Sequence, residues 1–209
     1  MSDLRKANLV WATPEAQDLI AYMARVSNPA TQGNKETAPK LIKYLIDHKH
    51  WSPFEMVNVC LEINTTRDIA RQILRHRSFS FQEFSQRYAQ VPSEVILSEA
   101  RTQDLKNRQN SIETEDVELA NEWLGHQQQA SDACVAAYEF ALSKGIAKEV
   151  ARKVLPEGLT LTKMYMNGTL RSWMHYVDIR CGQETQKEHR EVAEACKVIL
   201  KGLFPTLFT

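Results

Sequence analysis

Five arginines, Arg67, Arg71, Arg75, Arg77 and Arg87, fall within 21 residues of this 209-residue chain, with no lysine among them and only two acids, Asp68 and Glu83. Over the whole chain lysine and arginine are equally common, and the formal net charge is +0. A guanidinium fork matches a phosphate or carboxylate edge bidentately, and an ammonium does not. An arginine-only cluster in a neutral chain therefore points to an oxyanion ligand. A solvated basic face would use lysine about as often. Gln72, His76, Glu83 and Ser85 add an amide, an imidazole, a carboxylate and a hydroxyl. Such groups suit a nucleotide, with arginines for phosphate and the others for ring edges and ribose hydroxyls. The competing structural role is an internal ion pair between Glu83 and an arginine. One carboxylate cannot neutralise the cluster, so an external anion is expected.

The elements that must position these groups follow from periodicity. Residues 67–77 read as a helix with Ile69, Ala70, Ile73 and Leu74 as its buried stripe and Asp68 at its start. Arg67, Arg71 and Arg75, spaced by four, are expected on another face. Gln72, Arg75 and His76 then share one side. Beyond Ser78 an extended segment would present Glu83, Ser85 and Arg87 in alternation. Residues 54–65 alternate with Val57, Val59, Leu61 and Ile63 on one face, as a strand does. Residues 7–11 and 159–166 are further strand candidates. Pro14, capped by Thr13, should open a helix that Asn28-Pro29 ends. Residues 30–36 read as a loop. Residues 37–48 form a helix with Leu41, Tyr44, Leu45 and His48 along one side. Residues 92–110 are expected as an irregular surface segment. Helices follow at 114–144, closed by Gly145, and at 147–154, 169–181 and 185–203. The class is α+β, a helix-rich single domain over 1–209 around a small, mostly antiparallel sheet.

Composition narrows the function. At 43% hydrophobic and 25% charged the chain is an ordinary globular protein. No stretch approaches the roughly 20 apolar residues of a membrane span, and the segment from Met1 to Lys6 lacks the apolar core of a signal peptide. A cytoplasmic location is expected. Cys60, Cys134, Cys181 and Cys196 form no Cys-x-x-Cys pair and have no zinc-ligand spacing to histidine. They read as free thiols, and no metal is expected. Neutral net charge argues against a polymeric nucleic-acid partner. Seven glycines with no glycine-rich phosphate loop exclude a Rossmann-type dinucleotide site.

Arg75-His76-Arg77, seven residues, then Ser85 resembles the signature of the flavin-dependent thymidylate synthases, with Ser80, Glu83, Ser85, Arg87 and Tyr88 in the expected places and Gln82 where Asn is common. Three further blocks are similar to that family: Ala151-Arg152-x-Val154-Leu155-Pro156, Leu170-Arg171-Ser172 through Arg180, and His50-x-Ser52-Pro53-Phe54-Glu55. The resemblance spans Ser27 to Arg180. It implies conversion of dUMP to dTMP, with 5,10-methylenetetrahydrofolate as carbon donor, FAD as redox group, NADPH as reductant and no enzyme cysteine nucleophile. It implies dUMP contacts from Gln72, Arg75, Glu83, Ser85, Gln86, Arg87, Arg152 and Arg180. It implies FAD contacts from Ser27, Ser52, Arg75, His76, Arg77, Glu83, Thr169, Arg171 and His175. Arg180 is expected to activate the pyrimidine, supported by Arg87, with Ser85 as a positioning group. His50 is either a folate contact or a surface histidine in a polar turn. The resemblance further implies a homotetramer with active sites shared between subunits.

The chain departs from the family at two points. Thr169 stands where an Asn is usual, with Asn167 nearby, and Glu184 stands where a His is usual. Both positions belong to the family's flavin contacts. A non-enzymatic nucleotide- or RNA-binding protein using the same arginines is the alternative. A cysteine-dependent synthase is a third possibility that cysteine-to-serine replacement would test.

Overall fold

The computed structural model describes residues 6–208; residues 1–5, and with them most of the N-terminal segment read for a signal peptide, lie outside it. A four-stranded antiparallel sheet in the order β1-β2-β6-β3 forms the centre, from β1 (Lys6–Ala12), β2 (Asn58–Thr66), β3 (Phe79–Glu83) and β6 (Leu161–Thr169). A separate hairpin joins β4 (Arg101–Gln103) to β5 (Ser111–Glu113). The helices are α1 (Ala16–Ala24), α2 (Ala38–Asp47), α3 (Arg67–Ile73), α4 (Val117–Ser143), α5 (Lys148–Ala151), α6 (Leu170–Arg180) and α7 (Lys187–Leu203). The α+β class and the antiparallel sheet agree with expectation.

Val57, just before β2, and Val59, Leu61 and Ile63 within it are buried as the alternation predicts, beside Met164 and Met166 of β6 and under the helices, although Cys60 on the other face is buried as well. Leu170, Trp173 and Tyr176 of α6 and Val192, Ala193, Cys196 and Leu200 of α7 close the same core. The indole N–H of Trp173 donates to the Val59 carbonyl at 2.9 Å, which satisfies a polar atom inside the core. Gly168 of β6 lies opposite Phe79 of β3. A Cβ there would come within 2.4 Å of the Phe79 ring. Only glycine lets that ring lie across β6 and start β3 where it does.

Local departures have local causes. Thr13 does not cap α1, because its hydroxyl accepts from the Asn58 N–H at 2.9 Å and so ties β1 to β2. Glu15, at φ 49°, precedes α1 instead, and Pro14 lies in the turn before it. In α2 the buried face is Ala38, Ile42 and Leu45, while Tyr44 is exposed and stacks on His48. Pro29–Thr31 and Ser52–Glu55 are single 3-10 turns, so β2 starts later than residue 54. The segment 92–110 is not wholly irregular. It contributes β4, and Val95 bridges to Thr160. Gly145 closes α4 at φ 72°, in the left-handed region where glycine costs least. The far half of α4 packs on a second, smaller cluster of Val91, Tyr138, Ala141 and Ala151. Val117, Leu119, Trp123 and Phe140 remain exposed along it.

Candidate active site

Register decides which signature residues can meet. Phe79 pairs with Gly168 and Glu83 with Met164, so β3 runs from one end of β6 toward the other. At about 3.3 Å per residue, Phe79 and Glu83 stand roughly 13 Å apart. His76 and its arginines lie before the first of these ends, Ser85 to Arg87 beyond the second. The expected alternation of Glu83, Ser85 and Arg87 also fails. The strand ends at Glu83, and the Ser85 carbonyl accepts from the Tyr88 and Ala89 N–H groups in a turn. Nor do Arg67, Arg71 and Arg75 share a face. Arg67 is buried, Arg71 meets Glu157 at the surface, and α3 ends at Ile73 before Arg75. In one protomer the signature therefore lines more than one place.

At the first end, Arg180, the last residue of α6, donates through Nε to Nε2 of His76 at 2.9 Å. Burial first, then the guanidinium of Arg180 and the charges of His175 and Arg75, hold the His76 imidazole down at about 4. His76 is thus neutral near pH 7 and accepts at Nε2. Among the described residues Arg180 has no carboxylate within salt-bridge distance, nor have Arg75, Arg77 or Arg152. Gln72 faces the same region, joined to Gln186 and His189.

At the second end, Glu83 Oε1 lies 3.2 Å from Nη1 of buried Arg67 and accepts from Thr162 at 3.0 Å. The internal ion pair weighed for Glu83 is therefore present, though not aligned as a hydrogen bond, since Arg67 Nη1 has no hydrogen-bond partner. Gln86 is buried with its Nε2 lacking a partner. A buried amide donor without an acceptor is costly unless something supplies one. Arg87 pairs with Glu149 at 3.3 Å, but both side chains are more than half exposed. Such a pair holds weakly and can yield to a phosphate. Arg152 sits half-buried in the turn Arg152–Val154, and Ser85 is also half-buried.

A third place is a cavity of about 900 Å³ lined by Trp51, Ser78, Arg171, His175, Met174 and Phe208, among others. Arg171 is in contact with Glu55 across it. Ser52 begins the adjacent 3-10 turn, exposed. Thr169 caps α6, accepting from the Ser172 N–H at 3.2 Å, so its hydroxyl is already used by the helix. Asn167, paired in register with Ser80 on β3 and outside this cavity's wall, has a buried Oδ1 without a partner. Arg171, His175 and Lys197 with the hydroxyls of Ser78 and Ser172 and the apolar Trp51, Met174 and Phe208 fit a planar heteroaromatic ring carrying phosphates, as FAD does, with Glu55 and Asp178 as the acidic groups of the same wall. Ser27 is exposed beyond α1, and His50 is exposed near the Tyr44–His48 stack, with ring centroids 6.1 Å from Tyr44. Among the described residues no side-chain hydrogen bond or ion pair joins either of them to the other assigned site residues.

Several site residues escaped sequence reasoning. His189 and Tyr176 look like helix core from sequence, because each lies in an apolar stripe. Gln186 and Glu188 look like a solvated helix start. Only the packing of α7 on α3 and α6 places them beside Gln72.

The family described as Thymidylate synthase complementing protein matches residues 8–206. The chain is 50% identical to the probable flavin-dependent thymidylate synthase of Paramecium bursaria Chlorella virus 1, over 92% of this chain and 88% of that protein. It is 53% identical to the flavin-dependent thymidylate synthase of Synechocystis sp., over 91% and 87%. Its fold is similar to that of the UMP/dUMP methylase PolB from Streptomyces cacaoi bound with 5-Br UMP, with a TM-score of 0.85 at 24% identity, covering 98% of this chain and 92% of that one. A match along nearly the whole chain, with half of its residues identical to relatives of that name, leaves one conclusion: this chain belongs to the flavin-dependent thymidylate synthase family.

Proposed function

We propose that the protein reductively methylates dUMP to dTMP, taking the carbon from 5,10-methylenetetrahydrofolate and using FAD reduced by NADPH. The observation that carries this is the set of guanidiniums at Arg75, Arg77, Arg152 and Arg180, none with a carboxylate at salt-bridge distance among the described residues. Unpaired guanidiniums, one of them half-buried beside a neutral imidazole, call for an anionic ligand.

Bound FAD supplies hydride chemistry. The protein's own groups bind and polarise. We assign Arg180, held by His76, to stabilise negative charge on the pyrimidine ring nitrogen and so enrich the ring carbon that gains the methylene. His76 accepts at Nε2 and orients Arg180. Arg75, Arg87 and Arg152 are assigned to the nucleotide's phosphate and ring oxygens, with Gln72, Glu83 and Gln86 for its polar edges. Ser85 positions; no base stands beside it among the contacts found. Ser27, Ser52, Arg77, Thr169, Arg171 and His175 are assigned to FAD with Arg75, His76 and Glu83, and His50 to the folate.

A cysteine nucleophile is poorly supported. Burial raises the thiols of Cys60, Cys181 and Cys196, which keeps them protonated. We infer that the complete site needs residues from different subunits, because β3 separates Arg180 from Ser85 and Arg87. The exposed apolar residues of α4 are consistent with a tetramer. We read 1–209 as one domain. Among the described residues no helix is long and apolar enough to cross a membrane. All four cysteines are free, which supports a cytoplasmic address. The direct test is the absorbance spectrum of the purified protein. A yellow protein, or one that becomes yellow on loading with FAD, is expected. A protein that cannot be loaded overturns the proposal, and binding that extends to long polyanions and fades steeply with salt would favour an RNA binder instead.

A further inference from the structure

A chain of side-chain hydrogen bonds with one permitted direction runs from the β4–β5 hairpin into the core. It starts at Glu188, which is buried and contacts Arg101 of β4. A carboxylate only accepts. Gln186 therefore turns its amino group to Glu188 Oε2, at 2.9 Å, and its Oε1 the other way. That oxygen lies 2.7 Å from Gln72, which must donate through Nε2. Gln72 then presents Oε1 to Nδ1 of His189, at 3.3 Å. His189 must donate from Nδ1, so its Nε2 accepts from the Tyr176 hydroxyl at 3.1 Å. Every amide flip and the imidazole tautomer follow from the one acceptor at the start.

His189 and Tyr176 are both 0% exposed. Nothing in their stripes requires polarity. Val192, Ala193, Cys196 and Leu200 continue the His189 face with apolar groups. A leucine would fill such a position, yet a histidine stands there with both ring nitrogens used.

We propose that His189 is a positioning residue that, together with Gln186, locks the side-chain amide of Gln72 in one orientation for the nucleotide. The Tyr176 hydroxyl donates to Nε2 and so reinforces the Nδ1–H tautomer that the Gln72 oxygen selects. The amide then has a fixed polarity, its Nε2 bonded to Gln186 and its Oε1 to His189, with its second N–H and second lone pair left for the ligand. An unlocked glutamine would present either end and lose rotamer entropy on binding. This inference rests on the assignment of Gln72 as a dUMP contact.

The test combines kinetics with nitrogen-15 NMR of the imidazole. Wild-type His189 should show the Nδ1–H tautomer, and Tyr176→Phe should shift it toward a mixture. His189→Leu should raise KM for dUMP roughly tenfold, the scale of one lost hydrogen bond, with kcat changed less than about twofold. His189→Asn keeps a donor near Nδ1 and should recover most of that loss. In a Gln72→Ala background His189→Leu should add nothing, because the two act as a unit. An Nε2–H tautomer in the wild type, or equal penalties from His189→Leu in both backgrounds, overturns the proposal. If His189→Leu does not fold, the tautomer and Tyr176→Phe decide alone. Gln72→Ala with unchanged dUMP affinity overturns the assignment of Gln72 and this inference with it. That single variant tells the two failures apart.

Discussion

Acidification should destabilise this protein through its buried histidines before most carboxylates titrate, and His189 makes the effect measurable. Burial, then the charges of Arg180 and His76, hold its imidazole at about 3, against an ordinary 6.5. The groups around it are Tyr176 and Arg180 from α6, His76 and Gln72 from the α3 side, and Glu188 next to it on α7. The folded state keeps His189 neutral, while the unfolded chain takes up a proton below 6.5. The stabilisation is thus complete above pH 6.5 and falls as the pH drops toward 3, where the loss is complete. Inside that window one proton corresponds to about 1.4 kcal/mol per pH unit. From pH 6.5 to 5 this gives about 2 kcal/mol as an upper figure for His189. His76, held near 4 but only half-buried, acts in the same direction with a smaller share. Urea unfolding of wild type and His189→Leu at pH 6.5, 6.0, 5.5 and 5.0, at fixed protomer concentration, measures the difference in slope. The wild type should lose up to about 2 kcal/mol more than the variant across that range. Parallel curves would refute the buried, neutral state of His189.

Three other outcomes are expected. Gly168→Ala forces a Cβ into the Phe79 ring and should lower stability by about 1–3 kcal/mol in thermal or urea unfolding; an unchanged midpoint contradicts the register given for β3. Arg180→Ala should reduce turnover by at least about a hundredfold with circular dichroism unchanged, and near-normal rates would remove Arg180 from pyrimidine activation. Mixing inactive Arg87→Ala and Arg180→Ala proteins, after dissociation and reassembly, should restore partial activity, since hybrid oligomers contain some intact shared sites. No recovery in verified hybrids contradicts the shared site.

Much of the fold was legible because its signals are local. Alternation from Val57 to Ile63 fixed the buried face of β2, Gly145 fixed the end of α4, and Pro156 stopped the short helix before it. Errors arose where a residue served a distant element. Thr13 looked like a helix cap, but the Asn58 backbone holds it in the sheet. Arg67 looked like one of a basic face, but it is buried against Glu83. The hairpin at 101–113 escaped because its strands are three residues each, too short for a period. For the site, the spacing of the Arg-His-Arg signature identified the chemistry without its geometry. That Arg180 returns to His76, across 104 positions, depends on how α6 packs. Of the chain Glu188-Gln186-Gln72-His189-Tyr176 only Gln72 stood out in sequence, since the other members are unremarkable where they stand in or before their helices.

Methylation of dUMP is assigned to a flavin and 5,10-methylenetetrahydrofolate, with guanidiniums that lack carboxylate partners binding the nucleotide and no thiol nucleophile. Tritium release from dUMP labelled at the ring carbon that gains the methylene, assayed with NADPH, FAD and 5,10-methylenetetrahydrofolate, tests it most directly, in wild type and in the four cysteine-to-serine variants. Release that requires NADPH and survives every cysteine replacement is expected. Release that is absent in the FAD-loaded wild type, or abolished by replacing any one cysteine in a folded protein, contradicts the account.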